Sequence, residues 1–397
     1  MRENLPWLCM VACGVLWSAP WAPGAARAQV PGQEPAPQSQ PPASATSGNL
    51  LNPGISVIGW VQAEWGDEED VSQTFSFREA ELGFQSAVDP HLRADYFIAF
   101  HGGGEVELEE GFFTFLTLPR RFGLKAGHFR SNFGRFNRTH PPETSFADRP
   151  LAAEQFFGEE GLVATGVSLS YLVPNPFGIY LNLDAEVTTT PEGHGHEEEG
   201  HEEEHEEEEE HEEAVVFEPA GPRDLLYTTR LGGFVEVGEA TNLSLGGSFA
   251  SGAAGAHAGE GGESVVLRNN LAGLDVTLRW KNPRRAIYRS LTWQTEGTIL
   301  WPDAGEGEDL DPVRGVFSTV DYQFSRRWHT GIRGDWTEIV GGGGHEAGGL
   351  AYLTFTPSEF SLVSLQGRRV RLGDGSTDDR LFVKLTANIG SHGAHPF

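Results

Sequence analysis

Residues 177–187 read FGIYLNLDAEV, and apolar and polar side chains alternate along the stretch. The odd positions from Ile179 to Val187 are all apolar, whereas Asn182, Asp184 and Glu186 on the even positions are polar. Successive residues of a β-strand point to opposite faces, so this period of two indicates a strand with one apolar and one polar face.

Sixteen segments of this kind follow one another from residue 55 to residue 392. Tight turns such as Asp89-Pro90 follow the even-numbered segments, whereas longer connections such as 130–160 and 190–223 follow the odd-numbered ones. Short turns at one end and long loops at the other are typical of outer-membrane barrels. We predict an all-β fold: a closed antiparallel transmembrane β-barrel of about 16 strands, with short periplasmic turns and long extracellular loops. The segments start near Ile55, Thr74, His91, Gly104, Arg121, Gly161, Phe177, Leu225, Asn242, Val265, Ala286, Arg314, Trp328, Gly348, Phe360 and Arg380.

Composition excludes several classes of protein. The 397 residues contain 28 Lys and Arg against 57 Asp and Glu, a net charge of −29, which disfavours a nucleic-acid binder. Both cysteines, Cys9 and Cys13, lie near the N-terminus, which disfavours a disulfide or Cys-zinc scaffold. No long apolar run follows residue 30, so transmembrane helices are not expected.

The N-terminal region has the features of an export signal. An apolar core at Leu8–Trp17 precedes Ala26-Arg27-Ala28, which fits a small-x-small cleavage site. We therefore predict a signal peptide at 1–28, a flexible Pro/Gln-rich periplasmic leader at 29–50, and the barrel at 51–397 in the outer membrane of a Gram-negative bacterium. An uncleaved anchor helix and a lipoprotein are the alternatives, and both are disfavoured by the sequence around the apolar core.

A barrel of sixteen strands leaves a water-filled lumen, so its inward parity should be polar. Acids and bases both occur there, and their mixed signs do not fix which ion the pore prefers. The alternative is that these positions are ordinary solvated faces. The predicted lumen-lining residues are Glu79, Glu81, Arg93, Asp95, Glu107, Lys125, Asp184, Glu186, Arg333 and Asp335.

The third outer loop, 130–160, reads RSNFGRFNRTHPPETSFADRPLAAEQFFGEE. It is too apolar for a loop in solvent, because Phe133, Phe136, Phe146 and Phe156 need a surface on which to pack. Folding into the barrel would supply that surface and narrow the pore. Packing at the rim is the alternative. The predicted constriction residues are Arg135, Arg138, His140, Asp148 and Arg149.

Residues 192–213 (EGHGHEEEGHEEEHEEEEEHEE) contain 14 Glu and 5 His. Imidazole and carboxylate groups are suitable ligands for zinc, nickel or copper, although these spacings specify no single rigid site. We expect weak divalent-metal binding, including zinc, on this extracellular loop and no resident cofactor. A solvated acidic tract is the alternative. The predicted metal ligands are His194, His196, His201, His205 and His211.

Three stretches, 76–100, 111–140 and 146–176, resemble the phosphate-selective porin O/P-like superfamily. The similarity is closest to its branch of uncharacterised proteobacterial porins with a His-rich loop. The resemblance implies a sixteen-strand porin, often a homotrimer, with the third loop inside the lumen. Lys is scarce here, and the inward faces carry at least as many acids as bases, so phosphate selectivity is not carried over.

Together these features predict a porin, and not an enzyme, for passive diffusion of small ions or solutes. We expect it to favour divalent cations such as zinc, gathered by the His/Glu tract. An anion-selective, phosphate-type porin and a non-conducting structural or adhesive barrel are the alternatives. The expected partners are outer-membrane lipid, small ions or solutes and a homotrimer, without nucleic acid. A receptor for metal chelates would need about twenty-two strands and a plug, and no Gly-x-Ser-x-Gly motif indicates a hydrolase.

Overall fold

The computed structural model describes residues 53–66, 74–189, 216–219, 221–258, 264–303, 305 and 310–390. The described residues form sixteen strands in one closed antiparallel sheet. The strands are β1 (Gly54–Gly66), β2 (Phe75–Asp89), β3 (Leu92–His101), β4 (Val106–Phe115), β5 (Phe122–Arg130), β6 (Val163–Leu172), β7 (Tyr180–Thr189), β8 (Leu225–Glu236), β9 (Thr241–Ala258), β10 (Ser264–Lys281), β11 (Ser290–Trp301), β12 (Val313–Ser325), β13 (Trp328–Glu338), β14 (His345–Ser358), β15 (Ser361–Arg371) and β16 (Thr377–Gly390).

The sheet closes where β1 pairs with β16, from Ser56 opposite Gly390 to Gly66 opposite Arg380. Every strand therefore has two neighbours, which satisfies the backbone hydrogen bonds that lipid cannot. The predicted sixteen-strand barrel is confirmed. Predicted and observed strand starts coincide at Leu225 and Trp328 and differ most at β11, where Ala286 lies four residues before Ser290.

The distribution of side chains is the reverse of that in a soluble protein. On β16, Lys384 is completely buried and Thr386 nearly so, whereas Leu385 and Ile389 on the other parity are 44% and 70% exposed. Exposed apolar groups of this size would be unfavourable in water, at about 25 cal/mol per Å². A lipid environment removes that penalty, so the outer surface fits an outer membrane.

Aromatic residues near the strand ends of a membrane barrel form girdles at the lipid–water interfaces. Trp328 is exposed on the outer surface and packs on Phe355, with ring centroids 4.8 Å apart. Trp60, by contrast, lies inside the barrel. It shares the inward parity of Ile58 and is 7% exposed, and the Lys384 ammonium lies 4.3 Å from the centre of its ring.

The third loop, residues 131–162, connects β5 to β6. It contains two 3₁₀ helices, Phe136–Arg138 and Pro141–Glu143, and one α-helix, α1 (Leu151–Phe157). None of the helices in the described ranges is long and apolar enough to cross a membrane. Gly158 ends α1 with a φ of +66°, a left-handed conformation that glycine adopts without a steric penalty.

Several sequence predictions lie outside the described residues. They are the signal peptide at 1–28, the leader at 29–50 and most of the His/Glu loop, including His194, His196, His201, His205 and His211.

Candidate functional site: the third loop inside the barrel

The third loop lies inside the barrel, because it contacts strands from all around the sheet. Phe136 packs edge-on against Phe317 of β12 at 5.6 Å between ring centroids, and Phe146 packs on Tyr352 of β14 at 5.9 Å. Other loop residues bond to β4, β7, β9, β11 and β16. A loop outside a closed barrel could not contact all of these strands.

The inner wall carries an apolar patch that receives the loop's aromatic rings. Phe133 and Phe156 of the loop are each 2% exposed and form one hydrophobic cluster with the residues of this patch. The wall supplies apolar residues on its inward parity, and burying each ring against them contributes about 2 kcal/mol. The wall and flanking residues of the cluster are Val216, Phe217, Leu226, Ala250, Leu271, Leu300 and Val313.

Two glycines of the wall make room for these rings. A Cβ at Gly273 would lie 2.8 Å from the Phe133 ring. At Gly315 it would lie 2.7 Å from both Ala152 and Phe156. Neither separation is possible between real carbon atoms, so a side chain at either position would move the loop.

Asp148 fixes the loop to the wall through charge. Its carboxylate accepts hydrogen bonds from Arg333 at 2.8 Å and 3.1 Å and from Arg368 at 3.1 Å. Arg333 also donates to Asp335 at 2.8 Å, and Arg368 pairs with Asp378. Charge-assisted hydrogen bonds of this kind are the strong ones.

Two further wall residues bond to the loop backbone on the same side. Lys384 donates to the carbonyl oxygens of Thr144 and Phe146, each at 2.9 Å. The Gln366 amide donates to the Ser145 carbonyl at 3.0 Å and accepts from the Ala147 N–H at 3.0 Å. These contacts satisfy backbone groups that would otherwise be buried without partners.

Wall carboxylates bind loop N–H groups at other points of the circumference. Glu296 of β11 accepts from the backbone N–H groups of Phe136 at 2.7 Å and Arg135 at 3.1 Å. Glu186 of β7 accepts from the Ser131 hydroxyl at 2.6 Å and the Asn132 side chain at 2.9 Å. The loop is therefore held at several separate points, which fixes its position across the lumen.

His140 lies among three wall carboxylates. Its Nδ1 is 2.8 Å from Glu109 and 3.0 Å from Glu81, and its Nε2 is 3.0 Å from Glu110. Burial alone would lower the pKa of His140, but the carboxylates, Glu81 foremost, raise it well above its ordinary value.

A β-bulge explains why Glu109 and Glu110 both face inward. Phe97 of β3 pairs with Glu110 and the next residue, Ile98, pairs with Leu108, which leaves Glu109 as the extra residue. The bulge resets the alternation by one position, so two consecutive side chains point into the lumen.

Two arginines, Arg279 of β10 and Arg138 of the loop, lie within electrostatic reach of Arg135. Burial, followed by the charges of Arg279 and Arg138, lowers the pKa of Arg135 to about 10. Arg138 is exposed to the lumen, within electrostatic reach of Asp184 and Lys125. Among the described residues, none of these three arginines forms an ion pair with a carboxylate. We name Arg135, Arg138 and Arg279 the arginine cluster.

The five residues predicted for the constriction all lie in the third loop, in three kinds of position. Arg135 and Arg138 belong to the arginine cluster, whereas His140 and Asp148 are bonded to the wall. Arg149 packs over the ring of Phe136 at 5.4 Å, and burial lowers its pKa to about 10.

The ten residues predicted to line the lumen all lie on strands, on the parity that faces the third loop. Several are already paired within the wall, such as Arg93 with Asp95 at 2.6 Å. Lys125 lies over the rings of Phe129 and Phe112, at 4.1 Å and 4.8 Å. The others are Glu79, Glu81, Glu107, Asp184, Glu186, Arg333 and Asp335.

Sequence reasoning missed Glu110 and Glu296 as inward residues that bind the loop. If the alternation along β4 were unbroken, Glu107 and Glu109 would face the lumen and Glu110 would face the lipid. A carboxylate facing lipid is unfavourable, so the Glu109-Glu110 pair within an otherwise regular strand was a signal for a bulge.

Comparison with known proteins supports the fold. No family model matches the chain. An uncharacterised protein of Aquifex aeolicus is 31% identical over 355 residues, covering 81% of this chain and 70% of the relative.

Solved structures with the same architecture are outer-membrane proteins. Pseudomonas putida OprB matches with a TM-score of 0.55 and 10% identity over 85% of this chain and 94% of the other. Salmonella typhi OmpF matches with a TM-score of 0.53 and 12% identity over 85% of this chain and 97% of the other. The outer-membrane channel DcaP of Acinetobacter baumannii matches with a TM-score of 0.52 and 10% identity over the same shares. The chain thus has the fold of Gram-negative outer-membrane porins.

Proposed function

This chain belongs to the same family as the uncharacterised Aquifex aeolicus protein, and from that premise we propose that it is a porin for passive diffusion of small ions or solutes. The observation that supports this proposal is the third loop, which crosses a sixteen-strand barrel and is fixed to it by charge. A barrel of this size encloses an aqueous lumen, and a fixed inner loop sets the size of what passes.

The space beneath the loop is consistent with a passage. A cavity of about 620 Å³ opens at the end of the barrel that carries the short turns. Pro142 of the loop lines it together with wall residues such as Ser290, His329 and Asn388. Most of the residues that line it have polar or charged side chains, which suits a water-filled vestibule.

Single-channel recording in planar bilayers tests this function. We expect the folded chain, with its export signal removed, to give stepwise, ohmic conductance in potassium chloride. The matched control is the same preparation unfolded by heat, which should give no steps. A folded barrel that inserts and conducts nothing would favour the structural or adhesive alternative.

For selectivity, we propose that the His/Glu tract at 192–213 raises the local concentration of divalent cations, zinc among them, at the pore mouth. The donor types support this proposal, since imidazole and carboxylate both bind zinc. Zinc current should fall in a chain that lacks 192–213, with potassium current unchanged. Equal zinc currents in the two chains would contradict the proposal.

The arginine cluster supports a second candidate, an anion-preferring pore. Arg135, Arg138 and Arg279 carry positive charge at the loop without carboxylate partners among the described residues, and such groups attract anions in a water-filled passage. The reversal potential in a potassium chloride gradient separates the candidates, because its sign reports which ion carries more current. A cation-selective reversal potential would refute this second candidate.

We also propose a homotrimer in outer-membrane lipid. The fold supports this, and one structure with the same fold, OmpT of Vibrio cholerae, is described as a trimer form, with a TM-score of 0.51 and 9% identity over 85% of this chain and all of the other. Native mass spectrometry of the detergent-extracted chain measures the number of copies, and a monomer would contradict the trimer.

A further inference from the structure

A group of buried carboxylates surrounds His140 inside the barrel. Its Nδ1, one Glu81 oxygen and one Glu109 oxygen all lie within 4.8 Å of one another. The two carboxylates come from neighbouring parts of the wall, β2 and β4, and the imidazole comes from the third loop. Three donors from three separate segments thus converge on one point.

The carboxylates of this group are oriented by other contacts. Arg130 donates to Oε1 of Glu109 at 3.0 Å, which leaves Oε2 directed at His140. Glu110 lies 3.0 Å from Nε2 of His140, on the far side of the ring. A carboxylate that accepts a hydrogen bond from the second ring nitrogen is the usual partner of a metal-ligating histidine, because it fixes the tautomer that leaves the first nitrogen free.

Two buried carboxylate oxygens of this region lack a hydrogen-bond donor within the part of the chain that the structure describes. Glu81 is 2% exposed and Glu79 is 3% exposed. The one hydrogen that Nδ1 of His140 can carry is directed to Oε2 of Glu109 at 2.8 Å, so Oε2 of Glu81, like Oε1 of Glu79, has no hydrogen-bond partner among the described residues. Glu81 Oε2 is nevertheless aimed into the group, 3.0 Å from Nδ1 of His140. A buried carboxylate oxygen without a donor is unfavourable, and a cation would satisfy it.

We propose that Glu81, Glu109 and His140 form a binding site for a first-row divalent cation of the Zn²⁺ class. The ligands are Oε2 of Glu81, Oε2 of Glu109 and Nδ1 of His140, with Glu110 orienting the imidazole; the cation takes the place of the Nδ1 proton, which binding releases to solvent. One imidazole with two carboxylates is a donor set that zinc accepts. The bound cation joins the third loop to β2 and β4, on a part of the wall that Asp148 does not reach.

The observed spacing suits such an ion after a small adjustment. Nδ1 of His140 is 2.8 Å from Glu109 and 3.0 Å from Glu81. Donors about 2.0–2.1 Å from a tetrahedral zinc are about 3.3 Å apart. To accommodate the ion, each of these two nitrogen–oxygen distances needs to lengthen by only a few tenths of an ångström. Small rotations of the side chains are enough for this change.

The test uses a chain that lacks 192–213, so that the His/Glu tract contributes no binding. Equilibrium dialysis against zinc, followed by elemental analysis, gives the number of ions bound per folded chain. Cobalt substitution adds a second readout, since visible absorption bands report ligation by protein side chains. Neither readout depends on conductance, so failure of this site and failure of the proposed porin function are distinguishable.

We expect one tightly bound zinc per chain, with affinity reduced at least a hundredfold in Glu81→Gln and in Glu109→Gln. Glu110→Gln should reduce affinity about tenfold to a hundredfold, as for other residues that orient a metal ligand. The matched control is Glu105→Gln, which removes an exposed carboxylate just before the same strand, outside the proposed ligand set, and should leave affinity unchanged.

Two results would overturn the site: no stoichiometric zinc in the shortened chain, or equal affinity in the Glu81→Gln and control variants. Because a variant that misfolds could also lose zinc, each is first checked for the heat-sensitive electrophoretic mobility of a folded barrel. A folded Glu109→Asp variant, which keeps the carboxylate, should recover part of the affinity and the cobalt bands.

Discussion

Replacing Asp148 with asparagine removes the charge that ties the third loop to two arginines of the wall. Arg333 and Arg368 both donate to this carboxylate, at distances between 2.8 Å and 3.1 Å. Their side chains are 0% and 11% exposed, so water cannot replace the lost partner easily. Asparagine keeps the size of the side chain and one acceptor oxygen, which isolates the effect of charge.

The magnitude follows from what remains after the substitution. Removing one partner of a buried ion pair costs about 3–5 kcal/mol. Arg333 keeps Asp335 and Arg368 keeps Asp378, so the lower end of about 3 kcal/mol applies. We expect the population of states with a displaced loop to rise roughly a hundredfold, since about 1.4 kcal/mol corresponds to a factor of ten.

Single-channel recording measures this change directly. Asp148→Asn should show excursions to a larger conductance about a hundredfold more often than the unmodified chain. The matched control is Asp379→Asn, which removes the same charge from an ion pair with Arg369 whose arginine side chain is 74% exposed. Exposed pairs contribute little, so that control should behave like the parent chain. Indistinguishable traces from Asp148→Asn and the parent would refute the view that charge holds the loop in place.

Three more predictions concern the same loop. Gly315→Val should displace α1 and raise conductance. Gly334→Val is the control and should leave conductance unchanged, because a Cβ at Gly334 meets nothing within 4 Å. Equal conductance in the two variants would contradict the packing argument. Arg138→Gln should shift the reversal potential toward cations, and Arg284→Gln, in an exposed turn at the opposite end, should leave it unchanged; a shift of equal size in both would count against the arginine cluster. Phe136→Ala should weaken loop packing by about 3 kcal/mol and speed limited proteolysis of the loop, and unchanged cleavage would show that this ring is not an anchor.

The barrel could be predicted because its two environments act on each residue separately. Lipid outside and water inside impose apolar and polar side chains on alternate positions, so residues 177–187 show both faces of β7 without any knowledge of its neighbours. The aromatic content of the third loop likewise predicted that it needs a surface to pack on. Phe136 and Phe146 find it on Phe317 and Tyr352.

Local alternation fails where neighbouring strands determine the register. Glu110 turns inward because β4 has one residue more than β3 at the bulge, and that mismatch exists only between the paired strands. Trp60 is an aromatic residue like those of a girdle, but its parity on β1 directs it under Lys384. A strand's own sequence contains neither its register nor its bulges.

The sequence by itself determined the class of fold, the number of strands, the face that meets lipid and the loop that enters the lumen, because each depends on local composition. The tertiary structure alone decided which wall residue meets which loop residue. Asp148 and Arg333 are 185 positions apart in the sequence. They meet because the sixteen strands pair in a fixed register and close into a barrel around the loop. His140 reaches Glu81 and Glu109 for the same reason: closure brings β2, β4 and the loop to one point, and no local pattern encodes that point.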